Sequence, residues 1–177
     1  MMSRQDQKGI TLIEMMVVLA IVGVLVTIAI PNYQAWVSDQ NLRSSMVQLA
    51  GDLQIARMTA INRNAPITVR FDDVAMTYTA FIDNGAVAGG GVNQVQARDL
   101  IQNGTEAAIF TPNNKPLNAR VSISQVNFGA NPAVLFNGRG MRGIPQADPA
   151  QVVLQNDRGK QYQINVTLVG DVNVAAP

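Results

Sequence analysis

The chain has 177 residues, with 13 basic and 12 acidic side chains, a formal net charge of +1, and neither Cys nor His. It therefore forms no disulfide and holds no His- or Cys-ligated zinc, Ser-His-Asp triad or Cys-His pair. The near-neutral charge implies no general attraction to nucleic acid or to an anionic membrane.

A short polar leader, Met1–Gly9 with Arg4 and Lys8, opens the sequence. From Ile10 to Ile30 the chain is apolar except for Thr11, Glu14 and Thr27. As a helix this run is about 30 Å long, enough to cross a bilayer core. Val, Ile and Leu each contribute roughly −0.3 to −0.6 kcal/mol at the helix centre, against roughly +3 for a central charge. With more than ten such residues in the run, insertion is favoured. Glu14 lies near the end of the run, where water and headgroups lower the cost of its charge. A secretory signal has a shorter apolar stretch followed by a small-residue cleavage site, and Pro31-Asn32-Tyr33 is not one. The basic leader is expected to remain cytoplasmic, with the bulk of the chain on the other side.

Pro31 has no N–H and is expected to bend or loosen the helix. Beyond it Leu42, Met46, Leu49, Leu53, Ala56 and Ala60 recur at spacings of three and four. Polar residues, among them Arg43, Ser45, Gln48, Asp52 and Arg57, lie between them. The pattern predicts an amphipathic helix continuing to about Arg63, ended by Asn62–Asn64 and Pro66, its stripe covered by a sheet. From Pro66 the period becomes two. Ile67, Val69 and Phe71 alternate with Thr68 and Arg70, Asp72-Asp73 turns, and Thr77–Ile82 returns as a second strand.

Asn84–Gly91 reads as a loop, and its glycines are not followed by a helix, which argues against a dinucleotide fingerprint. Further strand-like pieces are Ala107–Phe110, Arg120–Phe128, Ala133–Phe136, Gln151–Leu154 and Gln161–Val169. Asn156-Asp157-Arg158-Gly159 is a hairpin turn between the last two. Asn113–Pro116 and Gly143–Pro149 read as loops. The expected fold class is α+β: a long N-terminal helix whose second half packs on a mainly antiparallel β domain. The expected divisions are leader 1–9, membrane-spanning or filament-core helix 10–30, amphipathic continuation 31–63 and β-rich domain 64–177.

Lys8-Gly9-Ile10-Thr11-Leu12-Ile13-Glu14, with the apolar run behind it, resembles the processing site of type IV pilins and type II secretion pseudopilins. The resemblance implies cleavage between Gly9 and Ile10 by a prepilin peptidase/methyltransferase and N-methylation of Ile10, where the family usually has Phe. Glu14 is then the family's acid and Pro31 its helix-kinking proline. It further implies insertion in the bacterial inner membrane, a periplasmic C-terminal domain, and assembly with other pilin subunits through an inner-membrane platform. A lone carboxylate among packed apolar helices needs a partner. The Ile10 amine of a neighbouring subunit is the one suggested for Glu14, and the pairing would favour one axial register. The C-terminal region, with Phe136-Asn137-Gly138-Arg139-Gly140 before the last hairpin and Tyr162–Val169 leading to Gly170, resembles the GspH/FimT type of minor pilin or pseudopilin. The function implied is a non-enzymatic minor subunit of a type II secretion pseudopilus or a type IV pilus, without a cofactor.

Arg139 and Arg142 lie in a Gly-rich turn suited to anions, or form an ordinary solvated turn between strands. Some FimT-type proteins bind DNA for natural transformation through a Gly-Arg-x-Arg motif after the last hairpin. At the matching place this chain has Gly170-Asp171-Val172-Asn173, so both arginines are absent. A DNA-capturing competence pilin is the alternative function. Asp72, Asp73, Asp83 and Asp99 have no EF-hand-like spacing, and turn and cap roles suit them better than calcium. Tyr33 and Trp36 fit an interfacial aromatic anchor. No set of residues suggests catalysis.

Overall fold

A computed structural model describes residues 11–82, 108–110, 114–128, 132–143 and 150–175. The expected loop 84–91, Asp83, Asp99 and residues 144–149 of the expected Gly143–Pro149 loop lie outside the described residues. Two compact units are present, Met1–Val37 and Ser38–Pro177. One 52-residue helix, α1 (Leu12–Arg63), runs through both. Pro31 lies inside α1 without ending it. The Asn32 side chain donates to the Ile28 carbonyl (3.2 Å), adding a hydrogen bond beside the residue that lacks an amide proton.

The predicted end of α1 at Arg63 is observed. Asn64 takes a left-handed φ of 47°, and the Ala65 amide donates to the Ala60 carbonyl at 3.2 Å. This is the reversal that Asn tolerates better than most residues, and Pro66 follows it.

Strands β1 (Ile67–Asp72) and β2 (Thr77–Ile82) form the predicted hairpin. Asp72 Oδ1 accepts the amides of Val74 and Ala75 and so sets the turn. Later come β3 (Lys115–Pro116), β4 (Val121–Asn127), β5 (Ala133–Phe136), β6 (Ala150–Asn156), β7 (Gln161–Val166) and β8 (Val172–Ala175). They make two antiparallel four-stranded sheets, of order β3-β2-β1-β5 and β4-β6-β7-β8. The turn at residues 156–159 joins β6 to β7 as predicted.

Several expectations change. Lys115–Pro116, read as loop, adds to the edge of β2, because only one or two ladder bonds are needed there and Pro is tolerated at an edge. Residues 172–175, read as no element, form β8 against β7. Four residues with two valines are too short for a periodic signal. Of the segment expected at 107–110, residues 108–110 are described, and there Ala108 bridges Phe81. Strand β7 stops at Val166, three residues before the predicted end.

In the second unit, all six predicted stripe residues of α1 are buried, Leu42, Leu49, Leu53, Ala56 and Ala60 completely. They share one core with Ile67, Val69, Phe71 and Phe136 of the first sheet and Val152, Leu154, Ile164 and Val166 of the second. Full burial of each large apolar side chain contributes about 1.5–3 kcal/mol. Phe71 stacks on Phe128 with centroids 5.5 Å apart, closing the core beside the first hairpin.

Candidate assembly site

At the start of α1, Thr11 acts as the N-cap, its hydroxyl accepting the Glu14 amide at 3.3 Å. Glu14 is three residues on, the position of the acid in a capping box, where it also suits the positive end of the helix dipole. The Thr-x-x-Glu pattern is legible in the sequence and places Glu14 where a carboxylate favours a helix start whether or not it meets a partner. Every residue from Thr11 to Ile30 is exposed, with Leu12 at 79% and Val22 at 45%. The helix is long and apolar enough to cross a membrane, and none of its most apolar window is buried. Gly9 and Ile10 lie outside the described residues. Tyr33 and Trp36 are exposed, their rings 6.1 Å apart.

In the second unit, among the described residues, three polar fastenings tie α1 to strands and turns of the β domain, beside the contacts of Asn41 and Ser45 with Ala119 and Asn118. Near residue 39, Asp39 accepts from Lys160 Nζ (2.9 Å) and Asn156 Nδ2 (2.9 Å), while the Ser38 hydroxyl donates to Asp157. The Lys160 hydrogen bond holds the Asp39 carboxyl below its ordinary range, and the same bond raises Lys160. Midway, buried Asp52 accepts the Tyr78 hydroxyl (2.5 Å) and both of its oxygens take Lys115 Nζ at 2.8 Å. Lys115 also sits 4.5 Å from the Phe110 ring centroid. Burial, then the Asp52 hydrogen bond, pushes the Tyr78 phenol well above its usual value. The pair of half-buried Lys115 and buried Asp52 ties the two-residue β3 to α1.

The third fastening is Arg57. Its Nε donates to the Gly140 carbonyl (2.9 Å), Nη1 to Asp171 (2.8 Å) and Nη2 to the Val169 carbonyl (3.0 Å). One guanidinium thus joins the helix, the turn after β5 and the turn between β7 and β8. Asp52, Ser45 and Arg57 are among the polar residues that lie between the stripe positions of the helix. Asp52 and Ser45 are buried and Arg57 is half-buried, because they border the apolar stripe and meet polar groups of strands, for Asp52, and of the connections between strands, for Ser45 and Arg57.

The turn holding Arg139 and Arg142 does not bring both to one surface. Arg139 is exposed. Arg142 is 2% exposed, and its Nη1 donates to the Val166 carbonyl at 2.9 Å. The Arg142 backbone continues the junction: its amide reaches Leu168 O and it bridges Phe136. Neither the paired anion grip nor a fully solvated turn describes this geometry; Arg142 joins the two sheets. Asp171, standing where the DNA motif would have arginine, is engaged by Arg57. Among the described residues no three acids gather as for a metal ion, and Asp72 serves the β1–β2 turn.

The family model "Type II transport protein GspH" matches residues 46–170, and the "Prokaryotic N-terminal methylation motif" matches residues 4–30. A type IV major fimbrial protein FimA of Dichelobacter nodosus is 31% identical over 136 residues, 75% of this chain and 79% of that protein. A fimbrial protein of Pseudomonas aeruginosa is 33% identical over 106 residues, 59% of this chain and 68% of that protein. Among solved structures, the minor pseudopilin EpsH from the type 2 secretion system of Vibrio cholerae superposes with a TM-score of 0.51 at 15% identity. That match covers 77% of this chain and 98% of EpsH, a likeness of fold.

Proposed function

Because the chain belongs to the GspH family of type II transport proteins and is a pilus or pseudopilus subunit, we propose that it is a minor subunit, without enzymatic activity, serving a type II secretion pseudopilus or a type IV pilus. In this reading the leader 1–9 is removed between Gly9 and Ile10, Ile10 is N-methylated, and residues 10–30 anchor the protein in the inner membrane before entering the filament core. Residues 31–63 then carry the β-rich domain, 64–177, on the periplasmic side, where it meets other minor subunits. Glu14 pairs with the methylated amine of a neighbouring Ile10.

The observation that carries this reading is the double character of α1. Its first part exposes apolar side chains on every face, which a soluble protein does not sustain in water. Its second part buries one stripe in the β core. A single helix with both is suited to lipid first and to packing against like helices afterwards. Mass spectrometry of the protein from cells with an active prepilin peptidase tests it. The expected mature chain begins at Ile10 and carries one added methyl group; an intact Met1 terminus overturns the reading. The DNA-capturing alternative rests on Arg139 alone. Steeply salt-dependent duplex binding that is lost in Arg139→Ala would favour it over the filament role.

A further inference from the structure

We propose that the outer face of the β4-β6-β7-β8 sheet is a binding face for a neutral, hydroxyl-rich glycan, a function separate from filament assembly. Strand alternation places Ala150, Val152 and Leu154 of β6 and Ile164 and Val166 of β7 in the core. Gln151, Val153 and Gln155 of β6 and Gln161, Gln163 and Asn165 of β7 therefore lie on the outer face, where Val153 is buried at 9% exposure. Register extends the array: Gln125 of β4 lies opposite Val153, Asn127 opposite Gln151, and Asn173 of β8 opposite Asn165. The strands present no charged side chain on this face, although solvent faces carry roughly a quarter to a third charged residues.

The amides are ordered among themselves. Gln163 Nε2 donates to Gln151 Oε1 and to Asn165 Oδ1 (2.7 Å), and Gln161 Nε2 to Gln155 Oε1 (3.3 Å). At the centre is a depression of about 180 Å³ lined by Gln125, Gln151, Val153, Gln161, Tyr162 and Gln163. Val153 has Gln125 across from it on one side and Gln163 on the other.

An amide offers both a donor and an acceptor in a fixed plane. A cluster of them around an apolar floor matches a sugar ring, whose hydroxyls donate and accept at its rim and whose C–H face is apolar. The volume is below the roughly 300–1,000 Å³ of a drug-sized pocket and suits one ring of a longer chain lying across the strands. Without a cation on the strands, the face has nothing to neutralise phosphate or sulfate, which sets nucleic acid and acidic glycans aside. Mutual hydrogen bonding holds the amides in place before a ligand arrives, lowering the ordering cost of binding.

The test uses the full chain in phosphocholine micelles, which carry no sugar head group, with maltohexaose, cellohexaose and chitohexaose as probes. Saturation-transfer NMR is expected to show contact with at least one probe at millimolar concentration. The double substitution Gln151→Ala/Gln163→Ala is expected to weaken that binding at least tenfold with the near-UV circular dichroism unchanged. If the double variant loses its tertiary signal, Gln125→Ala, on a different strand, is judged by the same criterion. Absence of transfer to all three probes overturns the proposal, as does undiminished binding in the variants or stronger binding of a heparin hexasaccharide. A sedimenting dimer that Gln163→Glu converts to monomer also overturns it, assigning the face to a second copy. Each result leaves the N-terminal processing experiment unaffected.

Discussion

Arg57 and Asp171, 114 positions apart in the chain, meet at 2.8 Å. The pair is one arm of a three-way contact in which the same guanidinium also reaches the carbonyls of Gly140 and Val169. The arms are unequal. Asp171 is 57% exposed, so its ion pair is screened and contributes little. The carbonyl arms are held between elements, and the Gly140 bond is partly buried.

Asp171→Ala is therefore expected to cost under about 1 kcal/mol. Arg57→Ala loses all three bonds and leaves carbonyls to find water, costing about 1–3 kcal/mol. Thermal unfolding of the full chain in micelles, followed by near-UV circular dichroism, checks the order. Equal effects of the two substitutions would mean that the ion pair, not the carbonyl grip, holds the junction.

The Asp52 network predicts a larger effect and an alkaline limb. Lys115→Met leaves the buried Asp52 carboxylate without its ammonium, at a cost of about 3 kcal/mol, since the Tyr78 hydroxyl still donates to it. Burial, with the Asp52 hydrogen bond, raises the folded Tyr78 pKa above its ordinary value of 10.0. The stability this contributes is fully present below pH 10 and is lost as pH rises toward the folded value, because the unfolded chain releases that proton first. Unfolding monitored across this range is expected to lose its steep alkaline fall in Tyr78→Phe.

At the acid end the sign reverses. The Lys160 hydrogen bond lowers Asp39, and the Ala75 and Val74 amides lower Asp72. Both therefore add stability above their ordinary value of 3.8, and lose it as pH falls through the folded values. Asp39→Asn is expected to flatten the acid limb of the same titration, and an unchanged slope would show the Lys160 contact to be without thermodynamic effect.

Two glycines are expected to respond in opposite directions to alanine. Gly170 has a φ of +85°, and a Cβ there would lie 2.0 Å from the Gly140 carbonyl oxygen. Gly170→Ala therefore strains the backbone and pushes apart the junction that Arg57 holds, and a drop of several degrees in Tm or failure to accumulate is expected. Gly51 lies within α1 with nothing within 4 Å of an added Cβ. Gly51→Ala is expected to stabilise the fold by about 0.4–1 kcal/mol through helix propensity and a more restricted unfolded chain.

Glu14 separates folding from assembly. Glu14→Gln retains a side chain able to cap the helix and removes the charge proposed to meet the Ile10 amine. The folded second unit is expected to keep its near-UV spectrum, while incorporation into sheared filaments or secretion in a deletion strain falls. Wild-type incorporation would sink the pairing.

The sequence by itself determined the long helix, its change from all-round apolar to one-faced near Pro31, its end at Asn64, both main hairpins, and membership of the pilin-like group. These are periodic or locally encoded features: one residue's surroundings are set by neighbours three, four or two places away, or by the turn chemistry of Asn, Asp and Gly. Tertiary structure alone decided which polar residues of α1 are internal, that the strands divide into two sheets, and that Arg142 is buried while Arg139 is not. Arg57, Asp52 and Lys115 look like ordinary surface charges in sequence because only the folded chain brings Asp171 to Arg57, and Tyr78 and Lys115 to Asp52. The same holds for the amide face, whose glutamines are scattered through three strands until antiparallel register sets them side by side.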